Sequence, residues 1–391
     1  MNKNRIVITE YKDKEIMAIY SDSKLMNLFF QDDKSDVGSI YTGKVKNIVP
    51  NIGGAFIDIG TGVQTYYPID EETPFFLNKK NNEKLVVGDE ILVQIVKDGI
   101  KQKAPRCSSK LSLTGKYVVV STEKGLLAIS GKINDMGRRE GLKALIDEDY
   151  LERFGVIFRT NCEAASDISI KAEISMLKEK LTEIIDNAPF RKSGQCVYSV
   201  PKGFIPDILG YLNDSLELIV TDIKSQYNAI KEYFELYDES ALKKLTFYDD
   251  DNMSLSSLYN LTKNIERATN KRVWLKSGGY LVIEQTEALV VIDVNTGKSI
   301  GKEDTGKHFF DVNMEALYET CYQIRLRNLS GIIIIDFINM KSENDWTRLI
   351  EALKKELKVD GSRSNFVERT KLDLVEITRK KLKKSLKEQL E

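Results

Sequence analysis

One histidine, His308, is all that 391 residues provide, and that scarcity removes whole classes of chemistry. Serine–histidine and cysteine–histidine nucleophile systems need an imidazole base oriented by a third group, and two-histidine nucleases need one more than the chain has. Cysteine is as sparse. Cys107, Cys162, Cys196 and Cys321 lack CxxC or CxxH spacing, which argues against a zinc knuckle or a disulfide framework and leaves small buried hydrophobes as the expectation. Net charge is absent too: 58 Lys and Arg face 59 Asp and Glu, so any basic surface must be local. No run reaches 18 apolar residues and the opening MNKNRIVITEYKDKE has no signal-peptide core, so a soluble, cytoplasmic protein is expected. For an enzyme, carboxylates and a metal ion are the means that remain.

The length suggests roughly two to four units, and no repeat, low-complexity tract or Pro/Ser linker separates them. RIVITEY, EIMAIYS and KLMNLFF read as short strands, too few for a domain, so they should complete a sheet built elsewhere. From Gly38 the chain alternates apolar and polar residues around Gly43, Gly53, Gly54, Gly60 and Gly62, the pattern of a small closed β-barrel. Its Y-x-G-K-V, GAFIDIG and YYP resemble the S1 RNA-binding module, a five-stranded OB barrel. Phe56 and Tyr66 occupy strand positions where exposed rings could stack on bases, with Lys44 and Lys46 near enough to follow phosphates; the same rings could equally be barrel core. Beyond the barrel, REGLKALIDEDYLERF reads as helical, and Ile170, Ile174, Leu177, Leu181 and Ile184 recur at helical spacing. Two further helical segments, SQYNAIKEYFELY and LSSLYNLTKNIERATN, lie among short strands in 199–268.

The last block has the clearest pattern. A GGYLVIEQTEALVVIDVN hairpin is followed by a polar loop holding Lys302, Asp304, Lys307 and His308, a helix from about Asn313 to Leu329, the strand GIIIIDFI, and two more helical stretches. Leu289–Asp293 and the strand ending at Asp336 each drive an apolar run into an acid. As parallel, buried strands joined by one crossover helix, they would end on one sheet edge, where open α/β sheets place ligands. Two carboxylates so close repel, and a proton or a cation must relieve them. Mg²⁺ suits such a pair, since it keeps waters and takes one or two carboxylates with phosphate oxygens. The pattern also admits a plainer reading, two acids that cap the turns after their strands. Gly297, Lys298 and Ser299 mimic the end of a phosphate loop, but position 292 is isoleucine where that loop needs glycine.

SGGYLVIEQTEALVVIDVNTGK, then QIRLRNLSGIIIIDFI and LVEITRKK, resemble the catalytic core of the ribonuclease E/G family of endoribonucleases. With the S1 match, the resemblance spans nearly the whole chain and implies a mixed α/β, multidomain architecture. An RNase H-like subdomain (1–37 and 199–268) would hold an inserted S1 domain (38–115) and a 5′-sensor subdomain (116–198), ahead of a DNase I-like catalytic subdomain (269–391). It implies Mg²⁺ on Asp293 and Asp336, with Asn295 beside the metal or the scissile phosphate. It also implies hydrolysis of single-stranded RNA to 5′-phosphate and 3′-hydroxyl ends, in rRNA or mRNA processing or decay. Arg159 and Thr160 of GVIFRTN would bind a 5′-monophosphate, a guanidinium fork and a hydroxyl suiting a dianion. Phe56, Tyr66, Lys103 and Arg106 would hold RNA. The chain stops at KKLKKSLKEQLE without the family's Cys-Pro-x-Cys element, so no zinc is expected, and a homodimer, if formed, would not use that zinc link. The basic end, Lys380, Lys381, Lys383, Lys384 and Lys387, is expected as a helix, either a solvated face or a hold on RNA or a partner. The competing function is a non-catalytic RNA-binding protein on a nuclease scaffold, against which the retained Asp293, Asn295 and Asp336 speak; a DNA nuclease is disfavoured by the S1 module.

Overall fold

Continuous buried runs, residues 6–9 and 16–20, mark strands covered on both faces at the N-terminus, where Asn4–Tyr11, Lys14–Ser21 and Lys24–Phe30 pair as an antiparallel meander. The computed structural model describes residues 3–31, 35–78, 84–99, 103–201, 203–213, 215–297, 305–381 and 384–390. The chain divides into two units, one of Met1–Gln31 with Ser215–Glu391 and one of Asp32–Asp214.

In the first unit the meander does complete a larger sheet. Its first strand runs parallel to Leu216–Thr221, which pairs with Leu245–Phe247, giving five strands. Val7, Ile16, Ala18 and Tyr20 pack with Leu255, Leu261 and Ile265. The LSSLYNLTKNIERATN segment is two helices, Leu255–Leu258 and Leu261–Thr269, because Asn260 adopts a left-handed conformation at φ 50°.

The second sheet of this unit has six strands in the order Arg272–Trp274, Tyr280–Gln285, Leu289–Asn295, Gly331–Asp336, Leu374–Arg379 and Ser364–Arg369. Helices Thr305–Leu326 and Glu343–Leu357 cover one face. Val290, Ile292, Ile333 and Ile335 pack there with Ala316, Leu317, Trp346 and Leu353. The back of the crossover helix meets the first sheet, where Tyr322 donates to the Leu25 carbonyl and Leu326 joins that core.

Four expectations need correction here. The central strands bury only one face: Val291, Asp293 and Ile334 are half-buried and Ile332 is 49% exposed, because helices pack on one side of the sheet. The crossover helix begins at Thr305, so Lys307 and His308 lie in its first turns rather than in a loop; Lys302 and Asp304 fall outside the described residues. The second helical stretch after Asp336 is a hairpin, Ser364–Arg369 with Leu374–Arg379. Val375 and Ile377 enter the core at a period of two, and Asp373 turns the chain at φ 62°. The terminal helix is only Leu386–Leu390; Lys380, Lys381 and Lys384 precede it and Lys383 lies outside the described residues.

The second unit holds a closed five-stranded barrel. Ile40–Val49, Gly54–Asp58, Gln64–Pro68, Arg106–Ser108 and Glu90–Lys97 follow one another, and the last pairs back onto the first. Val45, Ile57, Tyr67, Ile91 and Cys107 fill it. Beside it, Val118–Ser121 and Gly155–Phe158 centre a four-stranded sheet. Helix Asp167–Asn187 buries the five apolar residues that its spacing predicts. REGLKALIDEDYLERF forms two short helices, Met136–Lys143 and Glu148–Leu151. Cys107, Cys162 and Cys321 are buried, but Cys196 is exposed, since its strand, Cys196–Tyr198, lies at a sheet edge. Among the described residues no helix is long and apolar enough to cross a membrane.

Candidate active site

Asp293 and Asp336 face each other in register on neighbouring parallel strands. Their backbones are therefore about 4.8 Å apart. Alternation fixes their direction: Ile292, Val294 and Ile335 turn into the helical layer, so both acids and Asn295 project from the opposite face. Burial first, and then the like charge of Asp293, push the Asp336 carboxyl above the usual carboxylate range. The Asn295 amide donates to Asp293 Oδ2 at 2.7 Å. Among the described residues neither carboxylate accepts a backbone N–H, so turn capping does not account for the pair. No group of three His, Cys, Asp or Glu gathers among the described residues. Two carboxylates and an amide nevertheless fit a Mg²⁺ ion, which commonly takes one or two carboxylates and completes its shell with water and phosphate oxygens.

Backbone approach sets the edge around these groups. Gly297 sits at φ 65°, and a Cβ there would run into the Gly278 carbonyl oxygen, while one on Gly279 would lie 2.7 Å from the Asn295 carbonyl oxygen. Gly297 thus belongs to a tight backbone contact rather than to a phosphate loop; Lys298 and Ser299 fall outside the described residues. Glu315, on the crossover helix, accepts the backbone N–H of Lys276 at 2.5 Å and of Ser277 at 3.1 Å, pinning the turn that leads to Gly279. Burial opposes its charge, but the Ser277 hydroxyl and those two N–H groups outweigh burial and hold its carboxyl below the usual range. Its contribution is therefore present in full above the unfolded glutamate value near 4.5 and is lost as pH falls through the lower folded value. We expect Glu315→Ala to cost about 1–3 kcal/mol in urea unfolding at pH 7 and less once the wild-type carboxyl is protonated.

Asn313, two residues nearer the helix start and so on a different side of the helix, is fully buried. Its amide donates to the Ile338 carbonyl at 2.7 Å and accepts the Ile338 N–H at 3.0 Å, clamping the chain two residues past Asp336. Sequence reading passed over both residues. The signal was a polar Asn313 in the buried stripe of Val312, Ala316 and Leu317.

The barrel presents a row of side chains in register. Asn47 pairs with Phe56, Phe56 with Tyr66, Tyr66 with Arg106, and Arg106 with Lys97. Phe56 and Tyr66 are half-buried on the outer face while Ala55, Ile57 and Tyr67 fill the interior, so the two rings are not barrel core. Their centroids are 6.3 Å apart in an edge arrangement, and the Tyr66 hydroxyl donates to the Ile52 carbonyl at 3.0 Å. Lys103 is exposed; Arg106 pairs with Glu71 at 2.5 Å and Lys46 with Asp58 at 3.2 Å. Such exposed pairs are weak enough to yield to a phosphate.

Arg159 ends the strand Gly155–Phe158 and is half-buried, and its guanidinium donates to the Gly115 carbonyl. It lies beside Glu173, which accepts the N–H groups of Lys116, Tyr117 and Val118 at 2.8, 2.7 and 2.9 Å. The exposed Thr160 hydroxyl shares a 2.9 Å hydrogen bond with that of Ser130.

Residues 112–382 match the sequence model of the ribonuclease E/G family. Ribonuclease G of Haemophilus influenzae is 32% identical over 370 residues, covering 91% of this chain and 74% of that protein. Ribonuclease G of Escherichia coli strain K12 is 30% identical over 361 residues, 90% of this chain and 74% of that protein. Ribonuclease E of Synechocystis is 32% identical over 391 residues, 98% of this chain but 58% of that protein.

Proposed function

The chain belongs to the ribonuclease E/G family of endoribonucleases, and from that premise we propose that it hydrolyses single-stranded RNA in a Mg²⁺-dependent reaction leaving 5′-phosphate and 3′-hydroxyl ends. The observation that carries this reading is the register pair Asp293–Asp336 with Asn295 hydrogen-bonded to the first acid. Asp293 and Asp336 would hold the ion, and its charge would supply the activation of a water and the neutralisation of the phosphate. Asn295 holds Asp293 Oδ2 at one angle and leaves its other oxygen open. The sheet keeps both acids on one edge without help from loops, so neither has to reorganise as charge develops. No imidazole is needed.

The barrel, 38–115, acts as the S1-type RNA holder. Phe56 and Tyr66 stack on bases, and Lys103 and Arg106 meet phosphates. Residues 116–198 act as the 5′ sensor, where Arg159 and Thr160 take the terminal monophosphate, and 1–37 with 199–268 form an RNase H-like part beside a DNase I-like catalytic part, 269–391. The natural work of such a chain is the processing or decay of rRNA or mRNA. The test is one A/U-rich single-stranded RNA, made with a 5′-monophosphate and with a 5′-hydroxyl, incubated in Mg²⁺ and in excess chelator. Cutting only with Mg²⁺, with 5′-phosphate on the downstream product and a faster rate on the monophosphorylated RNA, is expected. A rate indifferent to the 5′ end in wild type, and unchanged by Arg159→Ala, would remove the sensor role.

A further inference from the structure

The face that carries the acid pair carries something else. Across the ladder, Asn295 stands opposite Tyr280, and Tyr280 opposite Trp274 on the edge strand. In the adjacent row Asp293 stands opposite Val282, and Val282 opposite Arg272. Residues opposite one another in a ladder project from the same face, so Arg272, Trp274 and Tyr280 share the side of Asp293, Asn295 and Asp336. Two strand spacings put the Trp274 backbone roughly 10 Å from that of Asn295. Trp274 is 64% exposed, whereas the chain's other tryptophan, Trp346, is fully buried. The Trp274 and Tyr280 rings are 5.2 Å apart at 59°, and the Arg272 guanidinium lies 5.7 Å from the first and 4.5 Å from the second.

We propose that Trp274, backed by Tyr280 and flanked by Arg272, is a stacking platform for an unpaired RNA base close to the scissile phosphate. The inference rests on the reading of this sheet edge as the site of RNA cleavage, and it assigns to the catalytic sheet a hold on the substrate separate from the barrel. An exposed indole offers a flat π-face to any base, and a neighbouring guanidinium adds attraction for both ring and backbone phosphate. Continuity with the acid pair selects RNA over other occupants, because a strand lying on Asp293 and Asn295 must leave the sheet across one of its neighbours.

The test is RNA binding by the full chain with metal chelated, read by tryptophan fluorescence, so that turnover plays no part. Quenching by a single-stranded RNA is expected, and it reports Trp274 because Trp346 is buried. Trp274→Ala should weaken binding about 5- to 150-fold, the span of one lost base stack, and Trp274→Phe should keep most of the affinity. In a set of RNAs each carrying one abasic position, one site near the cut should weaken wild type and leave Trp274→Ala indifferent. The absence of quenching, or equal abasic losses in both proteins, overturns the platform. A Trp274→Ala variant that sediments more slowly but binds RNA normally overturns it in favour of a contact between copies of the chain. Wild type that fails to cut RNA in Mg²⁺ yet passes the binding tests keeps the platform and loses the nuclease reading.

Discussion

Asp293→Asn and Asp336→Asn should each slow RNA cleavage at least about a thousandfold, the scale of removing one dominant electrostatic contribution to a phosphoryl transition state. The substitution preserves shape and strand pairing while deleting one negative charge, so the loss is electrostatic rather than structural. Folding should respond in the opposite direction. Burial and the charge of Asp293 disfavour the Asp336 carboxylate, so Asp336→Asn relieves both, and its melting temperature in chelator should equal or exceed that of wild type at pH 7. The check is a single-turnover rate paired with a melting curve on each variant. Cutting at the wild-type rate by either would sink the assignment of the pair. A lost rate joined to a lowered melting temperature would mean instead that the edge depends on these acids for its fold.

The acids were visible in the sequence through repetition. Four aliphatic residues followed by Asp, twice within one β-α-β pattern, give two strands the same ending on one sheet edge, and that shared ending is what pointed to a shared site. The parallel register followed from the crossover, and the structure pairs Asp293 directly with Asp336. What stayed hidden depends on contacts that spacing does not encode. The hairpin Ser364–Arg369 with Leu374–Arg379 read as helical because its charged residues mask a two-residue apolar period carried by Val375 and Ile377, with Phe366 packing beside them. Arg159 was named only through the family resemblance, and its half-buried place against the Gly115 carbonyl, 44 residues away, is a contact that no spacing encodes. Trp274 gave no signal at all, since a lone tryptophan in RVW looks like core until the strand is seen at a sheet edge with its indole exposed.

Asn313→Ala should produce the second large effect, and through a residue that holds backbone rather than substrate. Its amide satisfies both the N–H and the C=O of Ile338 inside the protein. Truncation leaves both without partners, at a cost of about 2–6 kcal/mol, since each buried orphan costs roughly 1–3 kcal/mol. The same loss frees the chain just past Asp336, and a displacement of about 1 Å at a reacting centre can cost a hundredfold in rate. Rate and stability should therefore fall together, unlike in Asp336→Asn. Asn313→Asp separates the two hydrogen bonds. The carboxylate still accepts the Ile338 N–H but faces the Ile338 carbonyl with no proton to donate, so its folded pKa must be raised. A group of that kind stabilises below its unfolded pKa and loses the contribution as pH rises through the folded one. The Asp variant should be markedly unstable at pH 7 and regain part of the deficit relative to wild type near pH 4, whereas the Ala variant should show the same deficit at both. Parallel pH profiles for the two variants would mean that the clamp on Ile338 contributes nothing, and that Asp336 is held by its own strand alone.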